Sequence, residues 1–381
     1  MKPLNSVISG MPRSGIREIM DLASKTSGVI HLEVGQPDFA TPDHVLEAAA
    51  QAAVDGYTKY TPNAGIPEVR EAFAAKVTSR NGFAAAPENI VVTVGAINAL
   101  LQAVMVLCDP GEAVLIPDPG WPNYEMIATV AGVRPVRYPL VPTAAFTPDF
   151  DALEVVAAAP RTKALIMNSP ANPTGAIFDL ATQQEMLTIA ERHDLWVISD
   201  ECYEDIVFEG PHISPSAIAS SERVISIFSM SKSYAMTGWR VGYAVAPQNV
   251  AAMMAKLTEA LTSCVTGVAQ KAAQAAVEGD QSCVSEMRDA YRRRRDLASE
   301  RLEAAGLLAF RPRGAFYTMV DTSATGQDGY ALCRRLVTDH GVATAPGETF
   351  GPTGNGLIRL SLAAADDDVR IGVDRVVDAL T

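Results

Sequence analysis

Between Ile90 and Val245 the chain alternates short runs of β-branched and apolar residues with longer amphipathic stretches. The runs Ile90–Val94, Ala113–Ile116, Ala164–Asn168, Leu195–Ser199, Val224–Phe228 and Val241–Val245 predict strands, several of them apolar on both faces. Ala-rich amphipathic segments such as Gln183–His193 separate them. Strands buried on both sides and linked by helices predict a mainly parallel sheet flanked by helices, an α/β fold. Asn89–Cys108 is free of charge over a membrane-spanning length, but it contains Thr93, Gly95, Asn98 and Gln102 and divides better into a strand and a helix.

After Gly279 the pattern changes. A charged helix over Met287–Ala304, a strand-like run Gly314–Val320, a helix near Tyr330–His340 and a strand-like run Leu357–Leu362 predict a separate α+β unit. Arg292, Arg293, Arg294 and Arg295 lie among Asp289, Asp296, Glu300 and Glu303, which predicts a solvated, ion-paired helix face without a function. The Gly/Pro-rich stretches Gly35–Pro42, Pro117–Pro122 and Pro170–Gly175 read as turns between elements.

With 381 residues, 48% of them hydrophobic and 20% charged, the chain has about two or three domains' worth of core, which excludes disorder, collagen and small disulfide scaffolds. A net charge of −13 repels phosphate backbones and anionic lipid, so neither nucleic acid nor a membrane is expected as a partner. Cys108, Cys202, Cys264, Cys283 and Cys333 are odd in number and form no CxxC pair, so they read as reduced thiols, with the cytoplasm as the expected location. The segment Met1–Ser6 lacks the apolar core of a signal peptide. The five histidines show no ligand spacing, and no metal site is expected.

In an open parallel sheet, ligands bind at the carboxyl ends of strands. After Ile90–Val94, Gly95-Ala96-Ile97-Asn98 opens a helix whose free N–H groups suit an anion, while GxGxxG and GxxxxGK[ST] are absent. After Ala164–Asn168, the loop Ser169-Pro170-Ala171-Asn172-Pro173-Thr174-Gly175 is stiffened by two prolines, with one X–Pro bond a candidate for cis. After Leu195–Ser199, Asp200 ends an apolar strand as a helix cap or a partner for a buried cation. After Val224–Phe228, Lys232 is the one charged side chain between Arg223 and Arg240, set among hydroxyl, Met and aromatic residues. Such surroundings lower an amine's pKa and make it a nucleophile toward carbonyls. Ser229 and Arg240 stand near enough in sequence to offer a hydroxyl and a guanidinium to a phosphate.

The runs NSPANPTG (Asn168–Gly175), DECY (Asp200–Tyr203) and SMSKSYAMTGWRVGY (Ser229–Tyr243), in this order and spacing, resemble class I/II aminotransferases, the aspartate aminotransferase-like fold type I enzymes that use pyridoxal 5′-phosphate. The likeness extends from about Met11 to the C-terminus. It implies a large cofactor-binding domain over residues 46–279 with a mainly parallel seven-stranded sheet, a small C-terminal domain over 280–381, and an N-terminal arm and part of the small domain in 1–45. Carried over, it makes Lys232 the Schiff-base lysine, Asp200 the partner of the pyridine nitrogen, and Asn172 and Tyr203 the donors to the ring's phenolic oxygen. Trp121 matches the ring stacked on the pyridine face. The phosphate falls to Gly95, Ala96, Ile97, Ser229 and Arg240, with Ser231 as a helper. Tyr60 resembles the tyrosine that reaches the phosphate from a neighbouring subunit, implying a homodimer with shared active sites. Arg359 is the clamp on the substrate α-carboxylate, and Gly35 the glycine whose backbone approaches that carboxylate as the small domain closes.

The activity so implied is ping-pong transfer of an amino group between an L-amino acid and a 2-oxo acid. Ile97 stands where one branch of bacterial aspartate aminotransferases has a lysine for an acidic side chain. With Ile16 of the N-terminal segment Ser14-Gly15-Ile16-Arg17 as a further expected pocket residue, this favours a neutral or aromatic donor with 2-oxoglutarate or pyruvate as acceptor, although Arg13 or Arg17 is available to supply the missing charge. The alternatives are an aspartate aminotransferase, a β-lyase or decarboxylase on the same fold, and, more remotely, a non-catalytic ligand-binding protein.

Overall fold

The computed structural model describes residues 2–11 and 14–381; Arg13 lies outside the described residues. In chain order the strands are β1 (Ile30–His31), β2 (Ile90–Thr93), β3 (Ala113–Asp118), β4 (Arg134–Val141), β5 (Thr147–Pro148), β6 (Thr162–Asn168), β7 (Trp196–Asp200), β8 (Val224–Ser229), β9 (Gly242–Val245), β10 (Tyr317–Asp321), β11 (Val342–Ala343), β12 (Ala345–Pro346) and β13 (Leu357–Ser361).

Eight of them form one sheet in the order β2-β9-β8-β7-β6-β3-β4-β5. The run β4-β3-β6-β7-β8 is parallel, β9 lies antiparallel between β8 and β2, and β5 is an antiparallel edge on β4. The mainly parallel sheet is as expected, but it has eight strands where seven were expected. The additional edge strand β5 is two residues long, too short to leave a periodic signal. Nor does the hydrophobic pattern reveal β4, because Arg134, Pro135, Arg137 and Pro139 interrupt it; its Tyr138 and Leu140 are buried, and the Tyr138 hydroxyl donates to the Ile166 carbonyl at 2.8 Å.

Alternate residues of the central strands feed opposite faces of this sheet. Val114, Ile116, Ile166 and Ile198 pack on the side of the helix Gly95–Leu107, while Leu115, Leu165, Met167 and Val197 join Met186 and Ile189 of the helix Leu180–Arg192. Each such fully buried side chain contributes roughly 1.5–3 kcal/mol. Register then lines up the strand ends. Asn168 pairs with Asp200 across β6 and β7, and Gly242 pairs with both Ser229 and Thr93. Residues just beyond these positions meet at one edge.

A three-stranded antiparallel sheet, β10-β13-β12, and the parallel pair β1-β11 make a second layer. Ile19 and Ala23 of the helix Gly15–Ala23 pack with Leu336, Val342 and Leu360 there, so the N-terminal and C-terminal parts of the chain share one core. The long helix Ser282–Ala304 packs on the same layer and corrects the reading of the arginine run. Arg293 is exposed, but Arg294 and Arg295 are buried. Arg294 grips Asp38 with both terminal nitrogens at 2.8 and 2.9 Å, and Arg295 lies over the Phe208 ring at 4.8 Å. A pattern of alternating charge marks a solvated face only when the partners lie on the helix itself; Asp38 is 256 residues away in sequence.

The loop after β7 is pinned from below. Glu204 is buried and ion-paired with Lys76, and it accepts from Asn81 Nδ2 at 2.6 Å; Lys76 also donates to Asn81 Oδ1 at 3.0 Å. Burial raises the Glu204 pKa, with the Lys76 charge opposing it. Lys76→Met leaves that carboxylate uncompensated and is expected to cost about 3–5 kcal/mol in denaturant unfolding. A carboxylate whose folded pKa is raised loses stability as pH rises through and above its unfolded value of about 4.3, so the penalty should be larger at pH 8 than at pH 5. A penalty independent of pH would remove this account of Glu204.

Candidate active site

A cavity of about 360 Å³ opens where these strand ends face the second layer. Asp200, Lys232, Arg240, Arg359, Asn172 and Trp121 all line it. Lys232 sits on the one-turn helix Met230–Ser233 that follows β8 and donates from Nζ to the Gly35 carbonyl at 2.6 Å. Burial lowers its amine to about 8; the Arg359 and Arg240 charges add to this, against the opposing influence of Cys202 and Asp200. Asp200, at the end of β7, is buried; Oδ2 accepts from the Tyr124 hydroxyl at 2.6 Å and Oδ1 from the Cys202 N–H at 3.2 Å. Burial raises its carboxyl pKa, partly offset by those donors. Such a group gains most from a cation brought to it.

Arg359, on β13, is 1% exposed and therefore does not face solvent. Its Nη1 donates to Asn172 Oδ1 at 2.9 Å and its Nη2 to the Glu33 carbonyl, while Nε is buried without a partner. The guanidinium lies over Tyr317 at 4.3 Å and Phe350 at 4.9 Å. A planar cation with an unused buried donor, opening on a cavity, suits a carboxylate.

At the other side of the cavity the helix Gly95–Leu107 starts without a side-chain cap at Val94, so its first N–H groups remain available near Ala96 and Ile97, which line the space. Gly95 has φ 71°, and a Cβ there would come within 2.7 Å of Arg240 Nη2. Arg240 itself is left-handed, φ 57° and ψ 52°, a conformation costing roughly 1–2 kcal/mol that turns the chain between Trp239 and β9. Its Nη1 donates to the Thr237 carbonyl at 2.8 Å. Ser229 and Ser231 line the cavity beside it, the Ser229 hydroxyl accepting from the Ser231 N–H at 3.1 Å. Gly35 is required by a close approach, because a Cβ would lie 1.8 Å from the Tyr317 hydroxyl oxygen. That hydroxyl is 2.9 Å from the hydroxyl of Tyr203, which is buried. Trp121 is half-buried and meets Tyr124 edge-on at 5.5 Å.

Tyr60 is not brought to this cavity; it is 91% exposed on the surface of its own chain. Tyr124 and Tyr317 were not anticipated as site residues. Tyr124 lies in the same run as Trp121, and Tyr317 in an apolar strand reading as core, so neither carried a separate polar signal. Both X–Pro bonds of the Asn172 loop, Ser169–Pro170 and Asn172–Pro173, are cis, as is Asp118–Pro119.

The family model for "Aminotransferase class I and II" matches residues 27–379. The aspartate/prephenate aminotransferase of Thermus thermophilus is 40% identical over 95% of this chain and 93% of its own. The aromatic-amino-acid aminotransferase 2 of Thermococcus litoralis is 37% identical over 96% and 95%. A solved structure of the Thermus thermophilus aspartate aminotransferase with maleate superposes with a TM-score of 0.94 at 38% identity, covering 100% of both chains. The chain belongs to the class I and II aminotransferases.

This makes the chain a pyridoxal-phosphate-dependent transaminase, and the geometry fits that cofactor. A class I and II aminotransferase needs an anion cradle, a buried carboxylate and an amine around one cavity, and the uncapped helix with Arg240, Asp200 and Lys232 meet those needs. Only the neutral amine attacks a carbonyl, so capture of added pyridoxal phosphate by the cofactor-free protein should accelerate about tenfold per pH unit below 8 and level off above it. Stopped-flow absorbance would measure this; a midpoint near the ordinary lysine value of about 10.4 would contradict the desolvated setting of Lys232.

Proposed function

We propose that Lys232 anchors the cofactor and moves the proton of the reaction, in an aminotransferase whose donor is a neutral or aromatic L-amino acid and whose acceptor is 2-oxoglutarate or pyruvate. The observation that carries this reading is the meeting, in one cavity, of an amine lowered to about 8, a buried carboxylate and a buried arginine with a free donor. Pyridoxal phosphate supplies an aldehyde to receive amines and a ring that accepts electrons. The chain's residues do the rest.

Nζ of Lys232, once free, would take up the substrate Cα proton and give it back; a pKa near the working pH suits both directions. Asp200 would hold the pyridine nitrogen of the bound cofactor, with the Tyr124 hydroxyl orienting its carboxylate. Asn172 and Tyr203 would donate to the cofactor's phenolic oxygen, and Trp121 would cover its ring. Gly95, Ala96, Ile97, Ser229, Ser231 and Arg240 hold the phosphate. Arg359 binds the α-carboxylate, with Gly35 beside it. Apolar Ile16, Met20 and Ile97 on the cavity wall support a neutral donor. The relatives named above, aminotransferases for aspartate, prephenate and aromatic amino acids, are compatible with either a neutral or an acidic partner.

The exposure of Tyr60 supports a role in a second copy's site and hence a homodimer. The five free cysteines support a reducing, cytoplasmic setting, and among the described residues no helix is long and apolar enough to cross a membrane. We also read residues 46–279 as the large cofactor-binding domain, 280–381 as the small one and 1–45 as the N-terminal arm and part of the small domain.

The purified protein with added pyridoxal phosphate should convert a donor to one equivalent of 2-oxo acid and turn over once a second oxo acid is supplied. Borohydride should fix the cofactor on the peptide bearing residue 232, and Lys232→Ala should abolish that labelling and lower transamination by at least about 10²–10⁴-fold. Labelling elsewhere, or turnover without a second oxo acid, would overturn the assignment.

A further inference from the structure

The cavity holds more positive charge than the roles above use. Among the described residues its lining has four cationic side chains, Arg17, Lys232, Arg240 and Arg359, against one carboxylate, Asp200, which is held by Tyr124 and Cys202. Arg359 is committed by Asn172, the Glu33 carbonyl and two aromatic rings; Arg240 stands at the uncapped helix; Lys232 is held by the Gly35 carbonyl. Arg17 is different. Among the described residues its guanidinium has one hydrogen-bond contact, Nη1 to Met20 Sδ at 3.6 Å, and no ion pair. The adjacent Glu18 is taken by Arg334. Arg17 thus faces the ligand space with its charge unspent.

Its setting on the helix Gly15–Ala23 gives that charge a use. Ile16 and Met20 are four residues apart and share a face, both lining the cavity, with Ile97 from the phosphate-side helix also in the wall. Arg17 follows Ile16 directly and is exposed, so its long side chain can enter the cavity or return to water. Ile19 and Ala23 root the helix in the core of the second layer, which fixes its place while leaving the Arg17 head group free. One turn of helix therefore offers an apolar surface to a neutral side chain and a guanidinium to an acidic one. A transaminase that pairs a neutral donor with an acidic oxo acid must accept both in the same space.

We propose that Arg17 binds the distal carboxylate of a dicarboxylic substrate, such as 2-oxoglutarate, and withdraws to solvent when a neutral side chain covers Ile16, Met20 and Ile97. This rests on the aminotransferase reading and adds the residue that sets the acceptor class. A charge-assisted hydrogen-bond pair of this kind is expected to be worth about 10–100-fold.

The test compares the wild-type holoenzyme with Arg17→Met and Arg17→Lys. In Arg17→Met, the ratio of kcat/KM for 2-oxoglutarate to that for pyruvate, measured with one neutral donor, should fall about 10–100-fold, with Arg17→Lys in between. Calorimetric titration with two unreactive acids gives a readout independent of turnover: the preference for glutarate over pentanoate should fall by a similar factor. Unaltered ratios in both measurements, or equal losses for the acidic and neutral ligands, would overturn the proposal. Should the wild type transaminate no pair at all, the assignment of Lys232 falls, while the glutarate and pentanoate titrations still decide the role of Arg17.

Discussion

Asp200 and Lys232 are both withdrawn from water, stand near enough to influence each other, and yet form no ion pair. Direct pairing would have stabilised the empty protein and left neither charge free to act. Instead each is held by a group that cannot cancel it: the Tyr124 hydroxyl and the Cys202 N–H for the carboxylate, the Gly35 carbonyl for the amine. Desolvating a charge costs several kcal/mol, and the surrounding scaffold must supply that. Adjacent parallel strands β7 and β8 place the two residues, and the buried Lys76–Glu204–Asn81 cluster fixes the loop that leaves Asp200. The site is a local departure from best stability held in place by the sheet beneath it.

The second layer completes the site through one aromatic side chain. Tyr317 on β10 touches the hydroxyl of Tyr203, underlies the Arg359 guanidinium and fills the space a side chain at Gly35 would need. Met319, two residues on, is in register with Arg359 on β13. The segment bearing Gly35 is held at its far end by Asp38, gripped by Arg294, whose Nε also reaches Asp366 at 2.6 Å. The chain from Glu33 to Asp38 is thus tied to the second layer at both ends, by Arg359 and by Arg294, with the acceptor of the Lys232 amine between them.

What the sequence disclosed follows from where its signals are local. Both-face apolar runs such as Val224–Phe228 are short-range patterns, and the strands came out within a few residues; a lone lysine after such a run is equally local, and Lys232 lies where that reading put it. The family likeness added Arg359 and Asn172, which strand pattern alone left as ordinary residues and which now meet at 2.9 Å. Hidden were features set by long-range partners. Arg294 reads as solvated until Asp38 comes to it, Tyr317 reads as core until Gly35 and Arg359 are laid against it, and β4 reads as a loop because a strand near the sheet's edge tolerates prolines and charges. Tyr60 stays outside its own chain's cavity, 91% exposed.

Charge is distributed in opposite senses over the molecule and within its cleft. The chain as a whole carries −13, while among the described residues the cavity wall carries one carboxylate and four cationic side chains. Screening over about 8 Å at physiological ionic strength confines the field of the exterior acids, so an anionic amino acid or oxo acid is opposed only weakly on approach and attracted once inside. The depressed amine fits the same arrangement: burial lowers it most, and Arg359 and Arg240 add to this by disfavouring a third full charge at Lys232. The guanidinium groups proposed to bind anions are therefore also ones that help to lower the lysine. Replacing either arginine with a neutral residue would loosen a ligand and at the same time let the lysine pKa climb, so its effect on rate combines two losses that a simple binding role would not predict.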